Sequence, residues 1–277
     1  MLFRSKNILI ILSIFFNMNI SAYISQSGIR AQSLGKAYRS LALSNDIILY
    51  NPAGILKHKK ISLDLDYHNI NSSNNMMISI VDSKSTDWAI GILYDLQLPQ
   101  NKLVSHSAYI TSAIPLINDI LFFGTSLNYL NLKNNNFTSM DFGLLLDTNT
   151  GLSLAASSNH SFYFTSRHLP ANMGIGISYD FHKILHITQI LIAIDWQMND
   201  AFSENDLKHE LNFGVEYIFL ESFPLRVGYN HVNYNNEKFI SFGTGFVAST
   251  IDFDLLYRQN ILLGKERDFG FSLKLKF

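Results

Sequence analysis

The chain lacks cysteine and is poor in proline and in charge. Its 277 residues include no cysteine and 5 prolines, and only 16% are Asp, Glu, Lys or Arg. Disulfide bonds and thiolate-based zinc sites are therefore excluded. A water-soluble domain usually carries about 25% charged residues, so this surface is poorly suited to water. The formal net charge of -1 also lacks the basic excess of a nucleic-acid-binding protein, and we expect no nucleic-acid partner.

No segment has the ~20 consecutive apolar residues that a membrane-spanning helix requires. The apolar run from Ile8 to Phe16 is too short to span a bilayer and follows the basic residues Arg4 and Lys6. Small residues, Ser21 and Ala22, come shortly after it. This order is typical of a secretory signal peptide, so we predict one over residues 1–22 and an exported mature chain. The alternative is an uncleaved membrane anchor.

From Ile61 onward, apolar and polar residues mostly alternate. The pattern is clear in "ISLDLDYHNI" (61–70), "TIDFDLLYRQ" (250–259) and "DFGFSLKLKF" (268–277). Alternation with a period of two indicates strands with one apolar and one polar face. We predict about fourteen strands, near 61–70, 74–83, 86–98, 103–115, 119–134, 137–149, 151–161, 172–183, 186–199, 208–221, 223–233, 239–249, 250–260 and 266–277.

The predicted strands have the length of membrane-crossing strands. Many reach ten residues, whereas strands of globular sheets have ~5–6 and transmembrane barrel strands ~9–11. The segments after even-numbered strands read as short turns and those after odd-numbered strands as longer loops, which is typical of outer-membrane barrels. We therefore predict an all-β fold, a closed antiparallel transmembrane β-barrel over residues 61–277 in a bacterial outer membrane. The alternative is a soluble sandwich or barrel.

Charged side chains occupy the polar phase of many strands, which faces the lumen of a membrane barrel. Both signs are present, so ion pairs across the lumen are expected; binding of an ionic ligand head group is the alternative. The predicted lumen-facing residues are Asp64, Asp66, Asp95, Asp195, Glu216, Arg226, Asp252, Asp254 and Arg258, together with Lys274 and Lys276.

Catalytic and metal-binding motifs do not emerge from the sequence. The chain has no H-E-x-x-H pattern, no G-x-S-x-G elbow and no Walker loop. The stretch "SNHSF" (158–162) brings a histidine and serines together. Neighbouring residues of a strand point to opposite faces, so His160 and Ser161 do not easily share one site. We predict no enzymatic activity, no metal site and no cofactor.

Two stretches carry a family resemblance. "SGIRAQSLGKAYRSLALSNDIILYNPAGI" (27–55) and "ELNFGVEYIFLESFPLRVGYN" (210–230) resemble the PorV/PorQ-like outer-membrane proteins, which are related to the FadL-like transporters. The first stretch matches the N-terminal signature of these families at Gly28, Arg30, Ala31, Leu34, Gly35, Ala37, Tyr38, Asp46, Tyr50, Asn51, Pro52, Ala53 and Gly54. The second, together with "ISFGTGFVASTIDFDLLYR" (240–258) after it, matches at Gly214, Glu216, Tyr217, Leu225, Arg226, Gly228, Tyr229, Gly243 and Gly245.

The resemblance implies an N-terminal hatch over residues 23–60 that folds into the lumen. Within it, Asn51, Pro52, Ala53 and Gly54 would form a defined turn that leads into the first strand. The resemblance also implies a passive uptake channel for small hydrophobic, fatty-acid-like molecules, surrounded by outer-membrane lipid. The alternatives are an accessory or scaffold barrel of a protein secretion system and a purely structural outer-membrane protein.

Overall fold

The chain forms a closed antiparallel barrel of fourteen strands in the computed structural model. The structure describes residues 28–70, 73–98, 104–117, 119–132, 135–148, 150–164, 169–182, 189–201, 208–262, 264 and 266–277. The predicted signal peptide (1–22) and the first residues of the predicted hatch (23–27) lie outside the described residues. The strands are β1 Ile61–Ile70, β2 Ser73–Asp82, β3 Ala89–Leu98, β4 Ser105–Ile117, β5 Leu121–Leu132, β6 Asn135–Asp147, β7 Leu152–Tyr163, β8 Asn172–Asp180, β9 Ile190–Asn199, β10 Lys208–Phe219, β11 Phe223–Val232, β12 Glu237–Val247, β13 Ile251–Asn260 and β14 Arg267–Lys276.

Each strand pairs with its neighbours in sequence, and β1 pairs with β14 to close the ring. At this seam Asp64 lies opposite Lys274. Because the strand number is even, β1 begins and β14 ends at the same rim, which we call the terminal rim. The opposite end is the distal rim. The predicted fold class and strand number are confirmed.

The alternation places apolar side chains on the outer face of the barrel. On β1, Asp64 is 3% exposed and Asp66 is 6% exposed, whereas Leu65 between them is 40% exposed. On β3, Leu93 is buried while Ile92 and Tyr94 are exposed. An exposed apolar face around a closed ring of long strands is the surface that a bilayer stabilises.

The predicted sorting of connections by length is wrong. β8 ends at Asp180 and β9 begins at Ile190, so this even-to-odd connection is long. By contrast, β1 ends at Ile70 and β2 begins at Ser73, so this odd-to-even connection is short. Connection length therefore does not separate the two rims of this barrel.

Several strand ends differ from the prediction by a few residues, and the start of β3 has an identifiable cause. The third strand was expected from residue 86 but begins at Ala89. Before it, the Asp82 carboxylate accepts hydrogen bonds from the backbone N–H groups of Lys84 and Ser85, each at 3.0 Å. Such an Asx turn gives the backbone an alternative to strand pairing and delays β3.

Residues 28–57, which we call the lumen segment, pack within the ring of strands. The segment contains helix α1 (Ile29–Ser33) and two 3-10 helices, Asn45–Leu49 and Pro52–Leu56. Most of its side chains are buried, and they form the main apolar core with inward-facing residues such as Leu93 and Leu145. None of the helices in the described residues has the length and apolarity that a bilayer crossing requires.

Candidate functional site: the lumen segment and an outer groove

Asn51 joins the two 3-10 helices and fastens them to the wall. Its backbone is extended, with φ -156° and ψ 103°, as expected for a residue before proline. Its Oδ1 accepts a hydrogen bond from Ala53 N at 3.1 Å and so caps the second 3-10 helix. Its Nδ2 donates to Arg39 O at 3.1 Å and to Leu144 O of β6 at 3.0 Å. One buried amide therefore ties three chain segments together.

The Asn-Pro-Ala-Gly stretch starts a helix rather than an isolated turn. Pro52 occupies the first helical position, where its missing N–H costs nothing. Gly54 does not have a positive φ; a Cβ at this position would overlap the Ile47 side chain. The glycine therefore serves close packing of the two 3-10 helices and not an unusual backbone angle.

Inward-facing glycines of the wall let the backbone of the lumen segment approach closely. Gly124 of β5 faces the backbone of Pro52 and Ala53, and Gly143 opposite it on β6 faces the Asn51 side chain. Across the barrel, Gly214 and Gly228 form a second cross-strand pair. Further inward glycines face the segment at Gly91, Gly174, Gly176, Gly243 and Gly270. A Cβ at Gly91 would crowd the Ile48 side chain, and a Cβ at the other positions would overlap atoms of the segment or of its partners.

The second glycine pair holds the loop after α1. Gly35 has φ +62°, a left-handed conformation that favours glycine. A Cβ on Gly228 would overlap Gly35 N, and a Cβ on Gly35 would overlap backbone atoms of Tyr229. The chain thus needs glycine on both sides of this contact.

Buried ion pairs link α1 to three strands. Arg30 Nη2 lies 3.0 Å from Glu216 Oε2 of β10. Arg226 of β11 approaches the same carboxylate through Nε and reaches Asp254 Oδ1 of β13 at 2.6 Å. All four side chains are at most 7% exposed. Their charges balance, so the desolvation cost of each is offset by a partner.

Arg39 connects the segment to β9 and β7. Its backbone N donates to Asp195 Oδ2 at 2.8 Å, and its Nη1 lies 3.5 Å from the same oxygen. Its Nε donates to Ser157 Oγ at 2.7 Å and its Nη2 to Gln197 Oε1 at 2.8 Å. Near the terminal rim, Lys57 Nζ lies 3.6 Å from Asp147 Oδ1. The lumen segment is therefore bonded to β6, β7 and β9 as well as to β10.

A third contact joins the segment to β1. The backbone N of Asn45 donates to Asp64 Oδ2 at 2.9 Å, and Lys274 Nζ lies 3.2 Å from the same oxygen. Asp46 Oδ2 accepts from Ala31 N at 3.2 Å, near the start of α1. Asp66 lies on the same inward face of β1 as Asp64 and is buried. Burial and the nearby Asp64 carboxylate raise the pKa of Asp46 to about 6.

The remaining residues predicted to face the lumen pair within the wall, and all of them except Lys276 are buried. Lys276 Nζ lies 2.7 Å from Asp252 Oδ1. Arg258 Nη1 lies 2.8 Å from Asp268 Oδ2, and its guanidinium stacks on the Phe239 ring at 3.6 Å from the centroid. Asp95 is 4% exposed and accepts a hydrogen bond from Gln97.

A histidine, a serine and an aspartate meet where β7 bulges. His160 has φ +55°, and its backbone N donates to Asp141 Oδ1 of β6 at 2.7 Å. Ser139 Oγ lies 2.9 Å from His160 Nδ1, and Asp141 Oδ1 lies 4.0 Å from that same nitrogen. In a catalytic triad the hydroxyl and the carboxylate sit on opposite ring nitrogens. Ser161 instead pairs with Ser158, so this grouping supports the bulge.

The described residues contain no group of three or more His, Cys, Asp or Glu side chains arranged to hold a metal ion. The charges of the lumen instead meet one another or the lumen segment, as the ion pairs above show.

An apolar groove of about 500 Å³ lies in the outer wall across β12, β13, β14 and β1. Two aromatic pairs flank it: Tyr67 with Phe271, ring centroids 5.4 Å apart, and Tyr257 with Phe269, 5.2 Å apart. Its lining contains no charged side chain: Tyr67, Asn69, Phe242, Gly243, Thr244, Leu255, Leu256, Tyr257, Phe269, Gly270 and Phe271.

The floor of this groove is thin. Gly243 and Gly270 line it from the outside, and on the inside they face Ser33 and Ile29 of α1. Only one layer of strand backbone therefore separates the groove from the lumen segment at these two positions.

Sequence reasoning missed the roles of Arg39 and Lys57 and the ring of inward glycines. The glycines carried a signal, because glycine inside a strand marks close approach of another backbone. The partners of the Arg39 side chain lie more than 100 residues away in sequence, and no local pattern indicates them.

Comparison with solved structures finds the same fold in several outer-membrane barrels. The Ralstonia pickettii toluene transporter TbuX is 10% identical with a TM-score of 0.66, over 92% of this chain and 98% of TbuX. The CymD monoaromatic hydrocarbon channel is 11% identical with a TM-score of 0.64, over 92% and 97% of the two chains. A Pseudomonas aeruginosa FadL homologue is 9% identical with a TM-score of 0.63, over 90% and 97%. The likeness is one of fold; no protein-family model and no curated protein matches the chain.

Proposed function

We propose that this protein is a FadL-related barrel of the bacterial outer membrane that passively admits small, uncharged hydrophobic molecules. The fold supports the proposal, since TbuX and CymD are hydrocarbon transporters or channels and the likeness spans nearly their whole length. The exposed apolar outer face suits a lipid environment. The narrower PorV/PorQ assignment stays a prediction.

The observation that carries the proposal is the outer groove. It offers an apolar surface of a size suited to a small ligand, and α1 lies directly behind its floor. A ligand that enters the wall here is separated from Ile29 and Ser33 by a single layer of strand backbone, so a local separation of two paired strands would connect the groove with the lumen.

The groove chemistry favours an uncharged ligand over a fatty acid. Neither arginine nor lysine lines it, and its polar members are Asn69, Thr244 and the two tyrosine hydroxyls. Both hydroxyls are engaged, Tyr67 with Asn74 at 2.8 Å and Tyr257 with Gln259 at 2.7 Å. A carboxylate in this groove would lose its hydration without gaining a cationic partner, which is costly.

In this proposal the lumen segment acts as the hatch. Its contacts with β1, β6, β9 and β10 hold it across the lumen, so solutes do not pass straight through. The scaffold alternative is less well supported, because neither the groove nor the barrels of the same fold point to a protein partner.

The test compares uptake of radiolabelled octane and octanoate by cells that express the protein in a lipopolysaccharide-containing outer membrane. The protein should raise octane uptake above that of vector-only cells and leave octanoate uptake unchanged. Leu255→Trp fills the groove and should reduce octane uptake several-fold.

The matched control is Leu225→Trp, at another outward-facing leucine that does not line the groove. It should transport octane like the parent. Equal uptake by parent and vector-only cells would contradict the transport proposal, and equal uptake by Leu255→Trp and the parent would contradict the role of the groove.

A further inference from the structure

The contact between the lumen segment and β1 concentrates buried carboxylates. Asp46 approaches from the segment, and Asp64 and Asp66 approach from β1. Asp64 Oδ1 and Asp66 Oδ2 are buried and have no hydrogen-bond partner. Buried acceptors without a donor are costly, so a proton shared among these carboxyl groups would stabilise the contact.

Asp46 also caps the start of helix α1. The N-cap residue of α1 is Gly28, which has no side chain to cap the helix. Asp46 Oδ2 takes over by accepting the hydrogen bond from Ala31 N, and a Cβ on Gly28 would overlap its carboxyl group. The start of α1 and the 3-10 helix that begins at Asn45 are thus joined through this one carboxyl group.

Cations do not fully compensate the three carboxylates. Lys274 reaches Asp64 Oδ2 at 3.2 Å and also donates to Leu43 O at 3.1 Å. Arg30 already forms an ion pair with Glu216. The charged and titratable groups that face Asp46 or Asp66 are Asp64 on β1, Lys274 on β14, Asp254 on β13 and Tyr38 in the segment. Lys60, next to β1, faces Asp64, Lys274 and Arg30.

We propose that this contact is a proton-controlled latch, in which a proton held among Asp46, Asp64 and Asp66 keeps the lumen segment docked against β1. Loss of the proton leaves adjacent carboxylates that repel one another across the contact, so the segment loosens there. The latch does not depend on what the barrel transports.

The pH window follows from Asp46. Burial raises its pKa from 3.8 to about 6, so between these values the docked state binds more protons than the loosened state. Docking is therefore strongest near pH 4 and weakens as the pH rises toward 6 and above. Lys60 has the opposite effect. Burial lowers its pKa to about 7, so docking of the lumen segment becomes more favourable as the pH rises and Lys60 loses its charge. Because Lys60 is present both in the parent and in the variants tested below, its effect cancels when they are compared.

Hydrogen exchange on the full-length protein in lipid nanodiscs tests the latch. The readout is the protection of peptides covering residues 28–57 at pH 4.5 and 7.5, each relative to the intrinsic exchange rate at that pH. The fall in protection from pH 4.5 to pH 7.5 should be about tenfold larger in the parent than in Asp46→Asn. Asp119→Asn, which changes an exposed aspartate in the β4–β5 turn, should behave like the parent.

Asp66→Asn provides a second test that leaves the cap of α1 intact. It removes one of the repelling carboxylates and should also reduce the pH-dependent loss of protection. If Asp46→Asn does not fold, Asp66→Asn decides alone. Equal pH dependence in the parent and in the folded Asn variants would overturn the latch, as would protection that does not change with pH in the parent.

Discussion

Arg30 of the lumen segment and Glu216 of β10 form a buried ion pair, with Nη2 and Oε2 3.0 Å apart. Arg226 shares the same carboxylate from the wall side. Glu216 therefore contacts two buried guanidinium groups that belong to different parts of the molecule. This makes it the residue whose charge most directly couples the segment to the barrel.

Glu216→Gln should destabilise the folded barrel by about 3–5 kcal/mol, because it leaves an uncompensated positive charge in a buried site. Urea-induced unfolding in lipid vesicles measures the change. Glu221→Gln is the control, since Glu221 lies exposed in the β10–β11 turn and should cost little. A similar loss in both variants would contradict the assigned coupling.

Gly228→Ala should displace the loop after α1, because the added Cβ would overlap Gly35 N. We expect a loss of stability of about 1–3 kcal/mol from overpacking. The neighbouring substitution Val227→Ala changes an outward residue that is 49% exposed and should leave the hydrogen-exchange protection of residues 28–57 unchanged. Unaltered protection in Gly228→Ala would show that the wall and the segment are not in close contact there.

Asn51→Ala should loosen the second 3-10 helix. The change removes the acceptor for Ala53 N and the donor to Arg39 O and Leu144 O, and leaves buried backbone groups unpaired. The expected loss of stability is about 1–3 kcal/mol. Asn235→Ala, in the exposed turn between β11 and β12, is the matched control. Thermal unfolding of the two variants should differ clearly if the Asn51 bonds stabilise the segment.

Arginine substitutions at two depths test whether the outer face lies in a bilayer. Ile92 lies near the middle of β3 and Leu98 at its distal end, and both face outward. Ile92→Arg should cost about 2–4 kcal/mol in vesicles, whereas Leu98→Arg should cost about 0–1 kcal/mol, because the penalty falls toward the interface. Equal costs would mean that the barrel does not sit in the bilayer with its strands crossing it.

The strands could be predicted because their signal is local. The alternation in 61–70 is enough to place Asp64 and Asp66 on one face, and the extended backbone of Asn51 follows from the proline after it. Turn lengths were harder, since a side chain such as Asp82 decides where the next strand begins.

The interior of the site was not predictable in this way. Gly124 and Gly143 are explained only by the backbone of Pro52 and the side chain of Asn51, which approach them from far away in sequence. The partners of Arg39 likewise depend on the closed ring. A pattern of polar residues indicates which side chains face inward but not which of them meet.

The most direct test of the account is the conductance of the purified protein in planar lipid bilayers. The central claim is that residues 28–57 close the lumen. The parent should show no stable open channel, whereas a variant that lacks residues 28–57, and whose β-sheet content is verified by circular dichroism, should conduct ions through an emptied barrel. A parent that conducts as well as the folded deletion variant would contradict the claim.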